Sequence, residues 1–422
     1  MTVQEMNMRK SWLAPLAFAL PLALAACGGS APTGATGGAS DAKAGQTIKI
    51  GSLHPLSGAF AGEGQQMDKG AKLAVEAINK AGGIKSLKGA KLELLSADTQ
   101  GKPEVGQSEA QRLIQQGAVA LVGTYQSAVS ANVASVAERN KVPLVIDVSS
   151  ADSILTQGYQ YTFRVQPSST VLGTNGAEFV SEVSKAAGKP AKKVAILHEQ
   201  GPFGMGIRDS FEAKAKSLGM EIGPVISYDA GSVSDLTTQM TAIKASGADV
   251  LVVAGYYRDG VLAAKAVSTV KPKLNAVVGV ADGAFDVPQF PKDAGKAGEG
   301  YFDANYHADM TKPAMQELAK LFQDRYNDQI RTAAVLSYEA VRVIAAALEQ
   351  AGDASPAKVR DAIAKVSVET LIAQNGPIKF GATGENENAS AILMQVQSGE
   401  VKQVFPADKA EVKPVFPANP GQ

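Results

Sequence analysis

IKIGSLHPLSGAFAGEGQQMDKGAKLAVEAIN, residues 48–79, decides the fold. Its first seven residues, IKIGSLH, are a short apolar and β-branched run, the composition of a strand. A Pro- and Gly-bearing link follows. Met67, Ala71, Ala74, Val75 and Ile78 then recur at i, i+4, i+7, i+8 and i+11, which puts them on one face of a helix within 63–81. The same two periods alternate down the chain. Strand-like runs stand at KLELLSAD (91–98), VALVG (119–123), VPLVID (142–147), YTFRV (161–165), KKVAILHE (192–199), EIGPVISY (221–228), DVLVVAGYY (249–257) and NAVVGVA (275–281). Near-continuous apolar strands separated by helices need cover on both faces, which predicts parallel α/β sheets. Eight or nine such units are too many for one open sheet here. The series divides at PSSTVLG (167–173), with four strands and then YTFRV before it and four or five strands after.

Beyond residue 300 the patterning is mainly helical, at 312–328, 332–351 and 356–366. NGPIKFGATGE (375–385) reads as a strand and turn. AILMQVQSGEVKQVFP (391–406) reads as a hairpin with Ser398-Gly399 at its turn. Residues 407–422, rich in Pro, Ala and Lys, are expected to trail over the surface. No short internal repeat points to a solenoid.

The N-terminus is of another kind. WLAPLAFALPLALAA (12–26) is apolar but too short for a span, which takes about 20 residues. Arg9 and Lys10 precede it and small residues end it, the form of a secretory leader over 1–26. Cys27, the one cysteine of the chain, follows at once. Residues 28–46 (GGSAPTGATGGASDAKAGQ) carry almost no bulky apolar side chain, so 27–46 reads as a flexible tether. With 41 basic and 41 acidic residues, no charge excess favours nucleic acid. With Cys27 used as an anchor, neither a disulfide nor a thiolate metal site can form, and no cofactor is expected.

Function in parallel α/β sheets is sought outside the carboxyl ends of the strands. Those places read SLHPLSGAFAGEG (52–64), GTYQSAVS (123–130), DVSSADS (147–153), HEQGPFGMG (198–206), GYYRDG (255–260) and VADGAFD (280–286). Their Gly, Ser, Tyr and Asp content suits close backbone approach and hydrogen bonding to a small molecule. An enzyme would need a nucleophile with a base in reach. His54 and His198 both follow strands, but neither lies in a nucleophile elbow. GPFGMG (201–206) lacks the G-x-G-x-x-G spacing, and no His/Asp/Glu cluster has metal-ligand spacing.

These segments, in this order, resemble the leucine/isoleucine/valine-type (branched-chain amino acid) solute-binding proteins of bacterial ABC importers. The likeness is carried by 48–79, GTYQSAVS, GYQYTFRVQPS (158–168), KKVAILHEQGPFGMG (192–206), ADVLVVAGYYRDG (248–260) and SYEAVRVIAAALEQAG (337–352), and covers most of 47–406. It implies a type I periplasmic-binding-protein fold: two doubly wound α/β lobes joined by three hinge crossings, with the ligand between them. Lobe 1 would comprise 47–168 and 303–387, and lobe 2 would comprise 169–302 and 388–406. The small-small-Cys ending resembles a lipobox, which implies lipidation of Cys27 and an extracytoplasmic, membrane-anchored monomer serving an ABC permease.

The resemblance also implies site residues. Ser127 would take a ligand carboxylate. The Ser149 carbonyl would accept from an ammonium group, and the Ala151 amide, beside Ser150, would reach the carboxylate. Leucine-type members carry threonine where this chain has Ala151, which weakens the case for a plain α-amino acid. Phe203 and Tyr256 would stack over the ligand on closure. The acid that pairs with the ammonium aligns with Asp282 if one gap is allowed, and with Ala281 otherwise. Glu63 and Ala333 stand where aromatics shape the leucine pocket. Glu63 either hydrogen-bonds a polar or cationic ligand tail or faces solvent at the cleft mouth. The expected ligand is a small carboxylate: an amino acid, a related amide, or an aromatic acid. A ligand-sensing receptor on the same fold is the alternative.

Overall fold

The computed structural model describes residues 47–421. Cys27, the leader and the whole of the tether fall outside the described residues. The first lobe opens with β1 (Ile48–His54), α1 (Ala61–Lys80), β2 (Leu92–Asp98), α2 (Pro103–Gln115), β3 (Ala118–Gly123), α3 (Ser127–Asn140), β4 (Leu144–Ile146) and β5 (Thr162–Arg164). Its five strands run parallel in the order β2-β1-β3-β4-β5. Alternate residues serve opposite faces, as the pleat requires. Ile48, Ile50, Ala120, Val122 and Val145 face one core, whereas Leu53, Leu121, Leu144 and Ile146 face another. This two-sided burial is what the continuous apolar runs of the sequence encode.

The chain crosses after Arg164 into the second lobe. There follow α4 (Ser169–Ala186), β6 (Lys193–Glu199), α5 (Pro202–Ser217), β7 (Glu221–Tyr228), α6 (Thr237–Ser246), β8 (Val250–Ala254), α7 (Tyr257–Val270), β9 (Ala276–Val280), α8 (Phe290–Ala294) and β10 (Phe302–Asn305). It then returns through α9 (Pro313–Tyr326), α10 (Thr332–Ala351), α11 (Pro356–Ile363) and the short ribbon β11 (Ser367–Val368) and β12 (Ile378–Lys379). α10 packs on α1 closely enough that a Cβ at Gly70 would stand 2.0 Å from the Ala334 carbonyl oxygen, so only glycine fits. The last strands, β13 (Ile392–Gln397) and β14 (Glu400–Phe405), complete the second sheet, ordered β14-β13-β10-β9-β8-β6-β7. β13 is antiparallel to both of its neighbours. Ser398 (φ 55°) and Gly399 (φ 76°) make its two-residue turn, the left-handed pair that such hairpins need.

Two details differ from the sequence expectation. β10 keeps Asp303 in the second sheet, paired with β9, so the return crossing follows Asn305 rather than falling at 303. The C-terminal segment does not trail: Phe416 packs beside Phe179, Phe302 and Leu393, and the Ala418 N–H donates to the Asn275 carbonyl at 2.8 Å. Among the described residues no helix is long and apolar enough to cross a membrane.

Candidate functional site

The carboxyl ends of β3 and β4 meet where the first crossing begins. Ser127 is the first residue of α3 and is 1% exposed. No side chain caps this helix; the Val129 and Ser130 N–H groups donate to the Gln126 carbonyl, which leaves the Ser127 and Ala128 N–H groups and the positive helix end for another acceptor. The Ser127 hydroxyl lies 3.2 Å from the Ala151 N–H, which donates to it. Two groups suited to a carboxylate therefore stand side by side. The Ser149 hydroxyl donates to that of Ser130, and the Ser150 and Ser169 hydroxyls are 3.0 Å apart, tying the loop to the start of α4.

Beneath this loop lies Arg164, fully buried. Its Nη1 donates to the carbonyls of Ser149 at 3.3 Å and Ala151 at 3.0 Å, and its other edge pairs with Glu385. The Asn386 amide donates to the Val165 carbonyl at 2.7 Å, so the first and third crossings are joined at the same place. The guanidinium lends positive charge to the loop. It also engages the Ser149 carbonyl that the resemblance assigns to an ammonium.

From the second lobe, Phe203 projects from the first turn of α5, and Tyr256 precedes α7 with its N–H held by the Asp259 carboxylate at 3.1 Å. The Tyr256 ring lies 5.5 Å from Phe203, 5.4 Å from Tyr125 and 5.0 Å from Phe60, so it bridges the lobes. Gly283 allows the close approach: a Cβ there would stand 3.0 Å from the Tyr125 hydroxyl. A cavity of about 30 Å³ remains among Ser127, Ser149, Ser150, Phe203, Tyr256 and Ala281. Tyr125 and Tyr306 also line it and were not singled out from sequence. Tyr125 carried a readable signal, an aromatic in the GTYQSAVS loop directly after a strand. Tyr306 had none, since it follows a strand that the patterning did not reveal.

Asp282 is placed elsewhere. It is fully buried inside the second lobe, its Oδ1 accepting from the Ala284 N–H at 3.0 Å while Oδ2 has no partner. Burial and the neighbouring Asp259 and Asp286 carboxylates push its carboxyl well up, and the same forces act on Asp303, whose Oδ1 accepts from the Asp282 N–H. The physical reason is local. Ala281 sits at φ 53°, in the left-handed region, which turns the chain so that Ala281 faces the cleft and Asp282 faces inward. The ungapped alignment is the one that fits the geometry.

Glu63 does not face open solvent. It is 6% exposed and ion-paired with Arg331, whose guanidinium lies 5.2 Å from the Tyr257 ring centre. Burial raises its carboxyl and Arg331 opposes that rise. The pair lines a second cavity of about 440 Å³, with Asp286, His307 and Ala333.

The histidines with strand-end positions are structural. His54 contacts Ser52 at 3.1 Å and Asp147 at 2.7 Å, a triad-like set, but all three are at most 1% exposed and none lines a described cavity. Ser337 of α10 donates to the same Asp147 oxygen at 2.6 Å, so the set ties the sheet to that helix. His198 is buried against the Glu199 carbonyl, and desolvation lowers its pKa.

Comparison with known proteins places this architecture. The chain belongs to the periplasmic binding protein family, which matches residues 47–400. A curated relative, "Leu/Ile/Val-binding protein homolog 8" of Brucella melitensis, is 28% identical over 373 residues, 86% of this chain and 91% of that protein. The branched-chain amino acid transporter substrate binding protein LivJ of Streptococcus pneumoniae, solved with isoleucine, superposes with a TM-score of 0.74 at 25% identity, covering 88% of this chain and 100% of the other. A solute binding protein of Rhodopseudomonas palustris, solved with 3,4-dihydroxybenzoic acid, gives 0.74 at 20% identity over 87% and 98%.

Proposed function

We propose that this chain is a lipid-anchored, extracytoplasmic solute-binding protein that takes a small carboxylate between its lobes and presents it, closed, to the permease of an ABC importer. One observation carries the carboxylate: Ser127 and the Ala151 N–H converge at the uncapped start of α3, faced by Phe203 and Tyr256 from the other lobe. Helix N-termini and backbone N–H groups hold anions without a counter-cation. Anchoring rests on Cys27 and the tether, and delivery to a permease on family membership.

A second observation favours an acid without an α-ammonium. The methyl of Ala281 lines the cleft at the alignment position of the family acid, and Arg164 already engages the Ser149 carbonyl. The aromatic-acid reading is in keeping with the dihydroxybenzoate-bound relative in fold, and the amino-acid reading with the Leu/Ile/Val-binding relatives.

A thermal-shift screen of leaderless protein against amino acids and aromatic acids tests the proposal. Ligand at about 100 times its dissociation constant stabilises by about 2.7 kcal/mol. The expected result is a rise in Tm with at least one carboxylate and none with its methyl ester. A screen in which no carboxylate raises Tm overturns the reading.

A further inference from the structure

The carbonyls of the loop after β4 are all taken by donors of the first crossing. The Val148 carbonyl accepts from the Gln166 side-chain amide, and the Ser149 carbonyl accepts from Arg164 Nη1 at 3.3 Å. The Ser150 carbonyl accepts from the Ser169 N–H at 2.8 Å. The Ala151 carbonyl accepts from Arg164 Nη1 at 3.0 Å and from the Ile154 N–H at 3.2 Å. Arg164, Gln166 and Ser169 are at most 1% exposed, and none of them lines the cavity at Ser127. A planar trans peptide sends its carbonyl and the following N–H in opposite directions. Holding the Ser149 and Ser150 carbonyls toward the crossing therefore sends the Ser150 and Ala151 N–H groups the other way. The Ala151 N–H meets the Ser127 hydroxyl at 3.2 Å, and the Ser150 N–H has no partner among the described residues.

Arg164 supplies two of these bonds from one nitrogen. Its Nε and Nη2 pair with the Glu385 carboxylate, Nε at 3.0 Å, and its own N–H donates to the Gly384 carbonyl at 2.9 Å. The guanidinium plane is thus fixed from behind by the third crossing, with Nη1 aimed at the loop. A rigid planar fork can serve a carboxylate and two carbonyls at once, whereas a lysine ammonium is a point charge on a flexible stem. Without the fork, nothing else holds the Ser149 carbonyl. The Ser149–Ser150 peptide is then free to turn, and a turned peptide offers an anion a carbonyl in place of an N–H.

We propose that Arg164 is a positioning residue: without touching the solute, it locks the Ser149–Ser150 peptide with its N–H toward the cleft, so that a carboxylate at Ser127 meets two backbone donors. The inference rests on the carboxylate reading above and adds what orients that site.

Calorimetry on the leaderless protein tests it, with benzoate, 4-hydroxybenzoate, leucine and isoleucine as probes. Wild type, Ser127→Ala, Arg164→Lys and the double variant are compared on whichever probe binds tightest. Arg164→Lys is expected to weaken binding at least about tenfold, the scale of a hydrogen bond to a charged group. Both residues act on the same carboxylate, so the double variant is expected to lose at least about threefold less than the product of the single losses. Losses that multiply in full assign Arg164 to general packing and overturn the inference, as does wild-type affinity in Arg164→Lys. If Ser127→Ala costs nothing, the carboxylate reading itself falls, and the inference with it. Amide hydrogen exchange needs no solute. In Arg164→Lys the Ser150 and Ala151 amides are expected to exchange at least about tenfold faster, with β6 and β8 of the second lobe as in wild type. Unchanged exchange at the loop, or equal acceleration in both lobes, overturns the inference even where no probe binds. Should Arg164→Lys not fold, Glu385→Gln, which loosens the guanidinium from behind, is expected to show the same pattern at about threefold, and its absence overturns the inference.

Discussion

Phe60 gives the cleanest test of lobe closure, because it lines neither cavity yet touches both lobes. Its ring meets Tyr256 of the second lobe at 5.0 Å and Tyr125 of its own lobe at 6.4 Å. Opening the cleft breaks the first pair and leaves the second. An aromatic pair contributes about 0.5–1.5 kcal/mol beyond its buried area. Phe60→Ala should then lower the ratio of closed to open molecules by about 2- to 13-fold. A solute can drive closure only through tighter binding to the closed state. If ligand-free molecules are mostly open, the dissociation constant rises by that factor. If they are mostly closed, the ligand-free radius of gyration rises instead. Tyrosine emission can follow the titration, since the one tryptophan, Trp12, lies in the leader. Small-angle scattering follows the shape. Unchanged affinity together with an unchanged ligand-free radius would refute the bridging role of the aromatic contact.

Asp282→Asn should leave affinity within about twofold, because the side chain is buried inside the second lobe and lines neither cavity; a loss beyond tenfold by calorimetry would return the ammonium role to Asp282. Glu339, buried on α10 and bonded by the Leu371 N–H and the Thr370 hydroxyl, has its carboxyl pushed by desolvation from 4.5 up to about 7. The folded state thus keeps a proton that the unfolded chain gives up near 4.5. Its contribution is fully present below pH 4.5 and is lost as pH rises to about 7, a fall of about 3 kcal/mol in unfolding free energy. Glu339→Gln should flatten that part of a denaturation series between pH 5 and pH 8, and an unaltered slope would assign the pH dependence to other groups. Cys27→Ser should move the protein from the membrane to the soluble fraction without changing its affinity, and equal membrane retention would contradict lipid anchoring.

Much of the fold was legible because parallel strands buried on both faces leave continuous apolar runs, as in 48–54 and 249–254. The end of β8 was read too long: Gly255-Tyr256 looks apolar, but Asp259 holds the Tyr256 N–H and starts a helix there. β10 was missed because Phe302–Asn305 is short and carries Asp303 and Asn305, whose polarity hides a strand buried by its neighbours. At the site, Ser127, Ser149, Ser150, Phe203 and Tyr256 follow strand ends, and the structure brings them around one cavity. Asp282 was misplaced because one left-handed residue, Ala281, reverses which side chain faces the cleft, and nothing in an alanine announces that conformation. Arg164 and Arg331 escaped notice because their partners, Glu385 and Glu63, lie more than 200 residues away in sequence. No local pattern reports such pairs.

The central claim is that a carboxylate is held by Ser127 and the Ala151 N–H. Calorimetric titration of the tightest acid from the screen and of its methyl ester, against wild type and Ser127→Ala, tests it most directly. A hydrogen bond to a charged group contributes about 1.5–3 kcal/mol, so wild type should prefer acid over ester by at least about tenfold. In Ser127→Ala that preference should shrink by about the same factor, with the loss borne by the acid. An acid-over-ester preference that is the same in both proteins would place the carboxylate away from Ser127 and contradict the account.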